Sequence, residues 1–348
     1  MAMRRRFDRA LHAAGWGALS WPTAYGGRAA PIEWELVLAE EAALAGAPER
    51  FNRVGLGIVA PALIQYGSEA QKQRYLGPLL AAEEVWCQGF SEPDAGSDLA
   101  GLSTRAELVD GRWRITGQKV WTTLSAVADF CFLLARTGEA GSGHRGITAF
   151  IVPMRQDGVV VRPIRQINDS TEFSEVFLDA AETAPEPVIG TVGGGWRLAM
   201  SVLGYERSTN LLGRQVRLAL AIRALRHAVS TYRDSVPEPL LDDLVDVWIR
   251  SEALGRAVRE HLAEIGRGQA PGIGDNATKV YWSETYQAVG DLALQVRGLL
   301  PDPAHGLLDD EPDWYDFYLG SRASSIYAGT DQIQRTIIAE RGLGLPRR

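Results

Sequence analysis

Lysine is scarce in this chain: of 36 basic residues among 348, only Lys72, Lys119 and Lys279 are lysines. The positive charge is therefore almost all guanidinium, a planar donor suited to fixed bidentate pairs rather than to a mobile point charge. Against 43 acidic residues it leaves a formal net charge of −7, with no long basic stretch to offset it, which argues against a nucleic-acid binder. Cysteine is scarcer still, and Cys87 and Cys131 are too few for a disulfide scaffold. No apolar run reaches the ~18 residues that a spanning helix needs, and residues 1–7 are followed by no signal-like apolar core. A cytoplasmic protein is the expectation. His12, His144, His227, His261 and His305 are too widely spaced to give a metal cluster local support, and His144, in a polar loop, reads as a surface residue. The chain also lacks Gly-x-Gly-x-x-Gly after a strand, Gly-x4-Gly-Lys-Ser/Thr, His-Glu-x-x-His and Gly-x-Ser-x-Gly.

What is present is ordinary globular material. A hydrophobic share of 46% and a charged share of 23% lie far from the composition that keeps a chain disordered, and the length suggests two or three domains at roughly 150 residues each. Helical spacing runs through residues 4–14, 32–45, 55–66 and 70–80, with Asn52 and Ser68 placed to cap. The period then changes. Residues 105–109, the turn Asp110-Gly111 and residues 112–116 form the strongest hairpin signal in the chain. Further strands are expected within 130–135, 147–152, 159–165 and 175–178, without helices of βαβ spacing between them, so an all-β middle domain is favoured over a doubly wound sheet. Helical periodicity returns at 196–232, 239–264, 275–299, 314–328 and 331–341. The reading is an α+β protein divided at 1–84, 85–188 and 189–348.

Four segments could carry chemistry. Residues 88–98 concentrate short hydroxyls, glycine and proline, which can line a concave site with backbone N–H groups or simply turn the chain between domains. Lys119 to Thr123 fits a strand end, but Trp121 also offers a flat face to a ring system with Thr123 beside it. Glu206 lies within a long helix, sharing a face with Leu203 and Asn210. A carboxylate in such apolar surroundings either pairs with an arginine or serves a purpose. Gly329 joins two helical runs, and Thr330 either caps the last helix, whose apolar side is Ile333, Ile337 and Ile338, or helps hold a phosphate at its start.

Taken together, these segments resemble the acyl-CoA dehydrogenase family. The resemblance rests on Trp21, Pro22, Tyr25, Gly26 and Gly27, on residues 88–98, on Gly117, Gln118, Lys119, Trp121 and Thr122, on Tyr327, Gly329, Thr330, Gln332, Ile333 and Gln334, and on the terminal run Ile338, Ala339, Glu340, Arg341, Leu343 and Gly344. Five motifs in order over most of the chain are highly specific. The resemblance implies an N-terminal helical domain, a middle β-barrel-like domain and a C-terminal four-helix bundle. It also implies bound FAD, desaturation of an acyl-CoA substrate, and electron delivery to an electron-transfer flavoprotein. By the same resemblance Gln88, Phe90, Ser91, Trp121, Thr123, Thr330 and Gln332 would contact FAD, and Ser97, Arg207, Tyr327 and Ala328 the substrate.

Two departures matter. Many family members carry the catalytic glutamate at the position of Ala328, and a methyl group cannot accept a proton. Other branches place the base in a Glu-Arg motif on a bundle helix, and Glu206-Arg207 resembles that arrangement, which makes Glu206 the expected base. The segments 232–239 and 295–301 depart from the family's usual cofactor-contacting pattern, so either a homo-oligomer or a heteromer with a related subunit is expected. The alternatives are a catalytically silent partner subunit and a flavoenzyme acting on an acyl-carrier-protein thioester.

Overall fold

The computed structural model describes residues 1–139, 142–269, 272–301 and 313–346; the side chains of residues 205–212 lie outside the described set, although their backbone is helical. The chain divides into two compact units, one of residues 1–30 and 49–205, the other of 31–48 and 206–348.

In the first unit, helices α1 (Ala2–Ala13), α3 (Ala60–Tyr66) and α4 (Glu69–Leu80) precede a seven-stranded sheet. Ser68 and Gln71 form a reciprocal capping box at the start of α4, satisfying two amide donors that would otherwise lack partners. Asn52 does not cap. It is buried, donates to the carbonyls of Leu79 and Glu84 and accepts from the Trp86 amide, so it ties the end of α4 to the first strand. A short polar side chain serves either use, and the contacts that decide lie 27 to 34 residues away.

The strands are β1 (Trp86–Gly89), β2 (Arg105–Val109), β3 (Arg112–Thr123), β4 (Phe130–Arg136), β5 (Ile147–Pro153), β6 (Val159–Pro163) and β7 (Phe173–Glu182). They run in the order β1-β4-β2-β3-β7-β6, with β5 also on β4, and curl into a half-barrel. The β2–β3 hairpin turns through Asp110 and Gly111, both at positive φ, the geometry that twists two strands back on each other. Because successive side chains alternate, β4 and β5 feed two cores. Phe132, Leu134, Ile147, Ala149 and Ile151 join the cluster built on α3 and α4, whereas Leu133, Ala135, Phe150 and Val152 join a second cluster with β3 and β7. Strands buried on both faces read as unbroken apolar runs, which is how these two appear in the sequence.

The second unit contains α2 (Glu33–Leu44), α6 (Glu238–Gly266), α7 (Ile273–Arg297), α8 (Trp314–Arg322), α9 (Asp331–Ile337) and the larger part of α5 (Gly195–Thr231). Buried Leu244, Val247, Ser251, Leu254, Val258 and Leu262 mark the inner stripe of α6 at three- and four-residue steps. Leu36 of α2 is part of the same core. α8 ends at Arg322, six residues before the expected limit, and a 3-10 turn over Ala323–Ser325 follows. Ala328 and Gly329 then adopt φ of 55° and 85°, a left-handed pair that no α-helix accommodates. α9 also reverses its expected polarity: Asp331 and Gln334 are buried while Ile333 is 37% exposed.

Candidate active site

The first unit brings two of the sequence segments together. The amide of Val120 donates to the carbonyl of Ser91 at 3.0 Å, so the segment leaving β1 lies against the end of β3. Beneath that contact Lys119 is wholly buried. Its ammonium donates to Glu92 Oε1 at 2.7 Å and to the Phe90 carbonyl at 3.1 Å. The remaining Glu92 lone pairs accept from the Ser103 amide and hydroxyl and the Thr104 amide at 2.6 to 2.9 Å. Burial alone would raise the Glu92 carboxyl, but the Lys119 charge and these donors outweigh it and hold the group at about 2. Burial pushes the Lys119 ammonium down, and the facing carboxylate works against that shift.

On this base stands Trp121. The register of β3 against β7 shifts between Lys119 and Thr122, and within that bulge Trp121 takes φ of 58° with 58% of its surface exposed. A bulky side chain at positive φ is strained, and strain persists only where surrounding contacts enforce it. Here the buried Lys119 on one side and the Thr122–Ser174 pairing on the other fix the flanking residues. The result is a flat, accessible indole whose edge meets Phe173 at 6.2 Å. Thr123, half-buried, pairs with Phe173 across β7, and Gln88, half-buried in β1, pairs with Phe132. The Phe90 ring packs inward, edge-on to Phe132 at 5.2 Å, and the residue is buried. Ser97 is exposed in the loop beyond Glu92.

In the second unit the turn 327–330 is held from two sides. The Gln334 amide donates to the carbonyls of Ala328 at 3.1 Å and Gly329 at 3.4 Å, and Gln334 itself accepts from Asn276 of α7. Thr330 caps α9 by accepting from the Ile333 amide at 3.2 Å, while Gln332 points outward. Asp331 turns into the core, where Lys279 donates to it at 2.7 Å and Ser283 at 2.8 Å. This explains the reversed polarity of α9, since a buried carboxylate and amide are tolerated where α7 supplies their partners. Burial lowers the Lys279 ammonium, and Asp331 works against that shift. Tyr327, half-buried, lies 6.2 Å from the Trp282 ring, and the Arg214 guanidinium stands 5.0 Å from Trp282 and 4.9 Å from Tyr327. Glu206 and Arg207 lie on α5, among the residues whose side chains are outside the described set.

Three family models account for most of the chain: acyl-CoA dehydrogenase N-terminal domain over residues 2–83, middle domain over 87–181 and C-terminal domain over 193–343. The chain belongs to the acyl-CoA dehydrogenase family. It is 40% identical to acyl-CoA dehydrogenase IpdE1 of Mycolicibacterium smegmatis and 41% identical to IpdE1 of Mycobacterium tuberculosis, with 99% of this chain and 88% of the relative aligned in each case. Among solved structures, a Tcur3481-Tcur3483 steroid ACAD superposes with a TM-score of 0.86 at 28% identity, covering 99% of this chain and 89% of that one. The ChsE4-ChsE5 complex from Mycobacterium tuberculosis superposes with a TM-score of 0.83, also at 28% identity, covering 99% and 90%. The protein is thus an oxidoreductase of a family of FAD-dependent flavoproteins of lipid metabolism.

For an acyl-CoA dehydrogenase, the described geometry gathers Ser91, Trp121 and Thr123 around one strand end, and Tyr327, Ala328 and Thr330 around one turn. Among the described residues no group of three or more His, Cys, Asp and Glu could hold a metal, and no helix is long and apolar enough to cross a membrane. Sequence reasoning missed the groups that stiffen these places: Glu92 beneath Ser91, and Asn276, Lys279 and Arg214 around the turn. One signal was available. In an arginine-rich chain with three lysines, two of them, Lys119 and Lys279, are fully buried in ion pairs.

Proposed function

We propose that this acyl-CoA dehydrogenase binds FAD and desaturates an acyl-CoA thioester between its α and β carbons, with Glu206 as the base. The observation that carries the flavin assignment is Trp121, an exposed flat ring set at positive φ and bonded through its neighbour Val120 to Ser91. Those residues fit a tricyclic heteroaromatic ring: the indole offers a stacking face, and the Ser91 and Thr123 hydroxyls offer hydrogen bonds to its polar edge. The backbone of Phe90 and the Gln88 side chain would complete that contact, with Thr330 and Gln332 assigned to the dinucleotide part. Bound FAD would supply the acceptor for the hydride that leaves the β carbon.

The rest of the chemistry belongs to the chain itself. Ala328 occupies the place where many relatives carry the base, so that turn can contribute only backbone. Its N–H would donate to the thioester carbonyl oxygen and stabilise negative charge developing there. The Glu206 carboxylate would remove the α proton, and Arg207, Tyr327 and Ser97 would hold the acyl-CoA. An electron-transfer flavoprotein would then collect the electrons. The likeness to a structure described as a steroid ACAD places steroid-derived acyl-CoAs beside fatty and branched ones as substrates to be tried.

The experiment is anaerobic titration of the oxidised flavin with a panel of acyl-CoAs. Bleaching with wild type, and FAD retention with reduction slowed at least ~100-fold in Glu206→Gln, are expected. A normal reduction rate in the variant rejects the assignment of the base.

A second reading concerns assembly. A relative by fold is described as a two-chain complex, and segments 232–239 and 295–301 depart from the family's pattern. Both favour a heteromer with a related subunit. Native mass and FAD content of the chain purified alone decide it: a stable homomer with full FAD occupancy removes the need for a second chain.

A further inference from the structure

Arg214 has no place in the roles assigned above. It lies on α5, seven residues beyond Arg207 and eight beyond Glu206. Its guanidinium is half-buried and stands 4.9 Å from the Tyr327 ring centroid and 5.0 Å from that of Trp282. The two rings are 6.2 Å apart and tilted by 47°, so one cation serves two π faces. The contacts continue behind them: Trp282 meets Tyr286 at 5.4 Å, and Tyr286 meets Phe317 of α8 edge-on at 4.7 Å. Arg214 therefore joins α5 to a stack of rings that is itself anchored in α7 and α8.

The consequence falls on Ala328. The turn carrying it has two successive positive-φ residues, and its carbonyls are fixed by Gln334. Its side-chain anchor is Tyr327, and the Tyr327 ring is held by Trp282 and Arg214. A guanidinium over an aromatic face is attracted by the ring quadrupole, and more strongly in a desolvated setting. Lysine, a compact charge on a flexible stem, keeps the attraction and loses the planar stack.

We propose that Arg214 is a positioning residue for the reaction. By clamping Tyr327 against Trp282, it sets the placement of the Ala328 amide relative to α5, the helix that carries Glu206. This deepens the desaturation reading and rests on it. Atoms displaced by about 1 Å can slow a positioned reaction on the order of 100-fold, so the effect should be larger on the rate of the chemical step than on substrate affinity.

The test uses the purified holoenzyme and the acyl-CoA that bleaches wild-type flavin fastest. Arg214→Met is expected to keep full FAD content, while the limiting rate of flavin reduction falls roughly 10- to 100-fold and the acyl-CoA dissociation constant rises by a smaller factor. Arg214→Lys is expected to recover most of that loss. Hydrogen exchange of the peptide spanning 326–330 should rise in Arg214→Met and not in Arg214→Lys, a readout independent of turnover. A wild-type reduction rate in Arg214→Met, or a loss that merely tracks lost FAD, overturns the proposal. If no acyl-CoA bleaches the wild-type flavin, the desaturation reading fails instead, and unchanged exchange at 326–330 then decides against the clamp separately.

Discussion

Lys119 and Glu92 meet at 2.7 Å with almost no exposed surface between them, and the segments they join carry Ser91 just beyond β1 and Trp121 near the end of β3. The pair costs desolvation on both sides, so its partners count for more than its charge. The carboxylate accepts four hydrogen bonds and the ammonium also reaches the Phe90 carbonyl. A fully satisfied buried pair of this kind fixes geometry even where its net contribution to stability is small.

Removing one partner leaves the other charged and stranded. Lys119→Met should destabilise the fold by about 3–5 kcal/mol, whereas Lys119→Met with Glu92→Leu should recover part of that loss. Denaturant midpoints of the single and double variants check it; an additive double variant would contradict a coupled pair.

Acid should act on the same pair. The Glu92 carboxyl lies at about 2 in the fold, against about 4.3 in an unfolded chain. A depressed carboxylate contributes stability that is fully present above the unfolded value and disappears as pH falls through the folded one. That share, on the order of 3 kcal/mol before the opposing burial of Lys119, should therefore be lost between about pH 5 and pH 2. Comparing the pH dependence of unfolding in wild type and in the Lys119→Met, Glu92→Leu double variant isolates it. Curves of equal steepness in this window would refute the assignment.

Trp121 should show stability and binding moving in opposite directions. Trp121→Gly relieves the positive φ and removes an exposed aromatic, so the fold should be unchanged or firmer by about 1 kcal/mol. FAD affinity should fall at least ~10-fold as the stacking face disappears. Thermal unfolding without FAD and cofactor titration read the two effects independently, and a variant that binds FAD normally would remove the indole from the cofactor site.

The second buried ammonium offers a parallel test in the other unit. Asp331→Asn leaves Lys279 without its counter-charge and should destabilise by about 3 kcal/mol, while Asp331→Leu with Lys279→Met should be milder. Calorimetric unfolding checks this. An Asp331→Asn protein as stable as wild type would mean that Ser283 alone satisfies the site.

Much of the architecture is legible in the chain because it depends on near neighbours. The hairpin at Asp110-Gly111, the cap at Ser68 and the inner stripe of α6 each need only residues within a few positions. Asn52 and α9 depart from the sequence expectation for the opposite reason. A polar side chain between helices fits a cap as well as a hub, and Ile333 is exposed only because Asp331 and Gln334 find partners some 50 residues earlier on α7.

The amino-acid sequence by itself determined the three-part order of helices, sheet and helices, the motifs that mark the family, and the absence of a carboxylate at position 328. Tertiary structure alone decided that Lys119 lies beneath Ser91, that Trp121 is forced into positive φ, and that Arg214 grips Tyr327. Periodicity records which face of an element is buried, but not which distant group shares that burial. Ion pairs and π contacts between residues 27 to 113 positions apart exist only once the chain has folded.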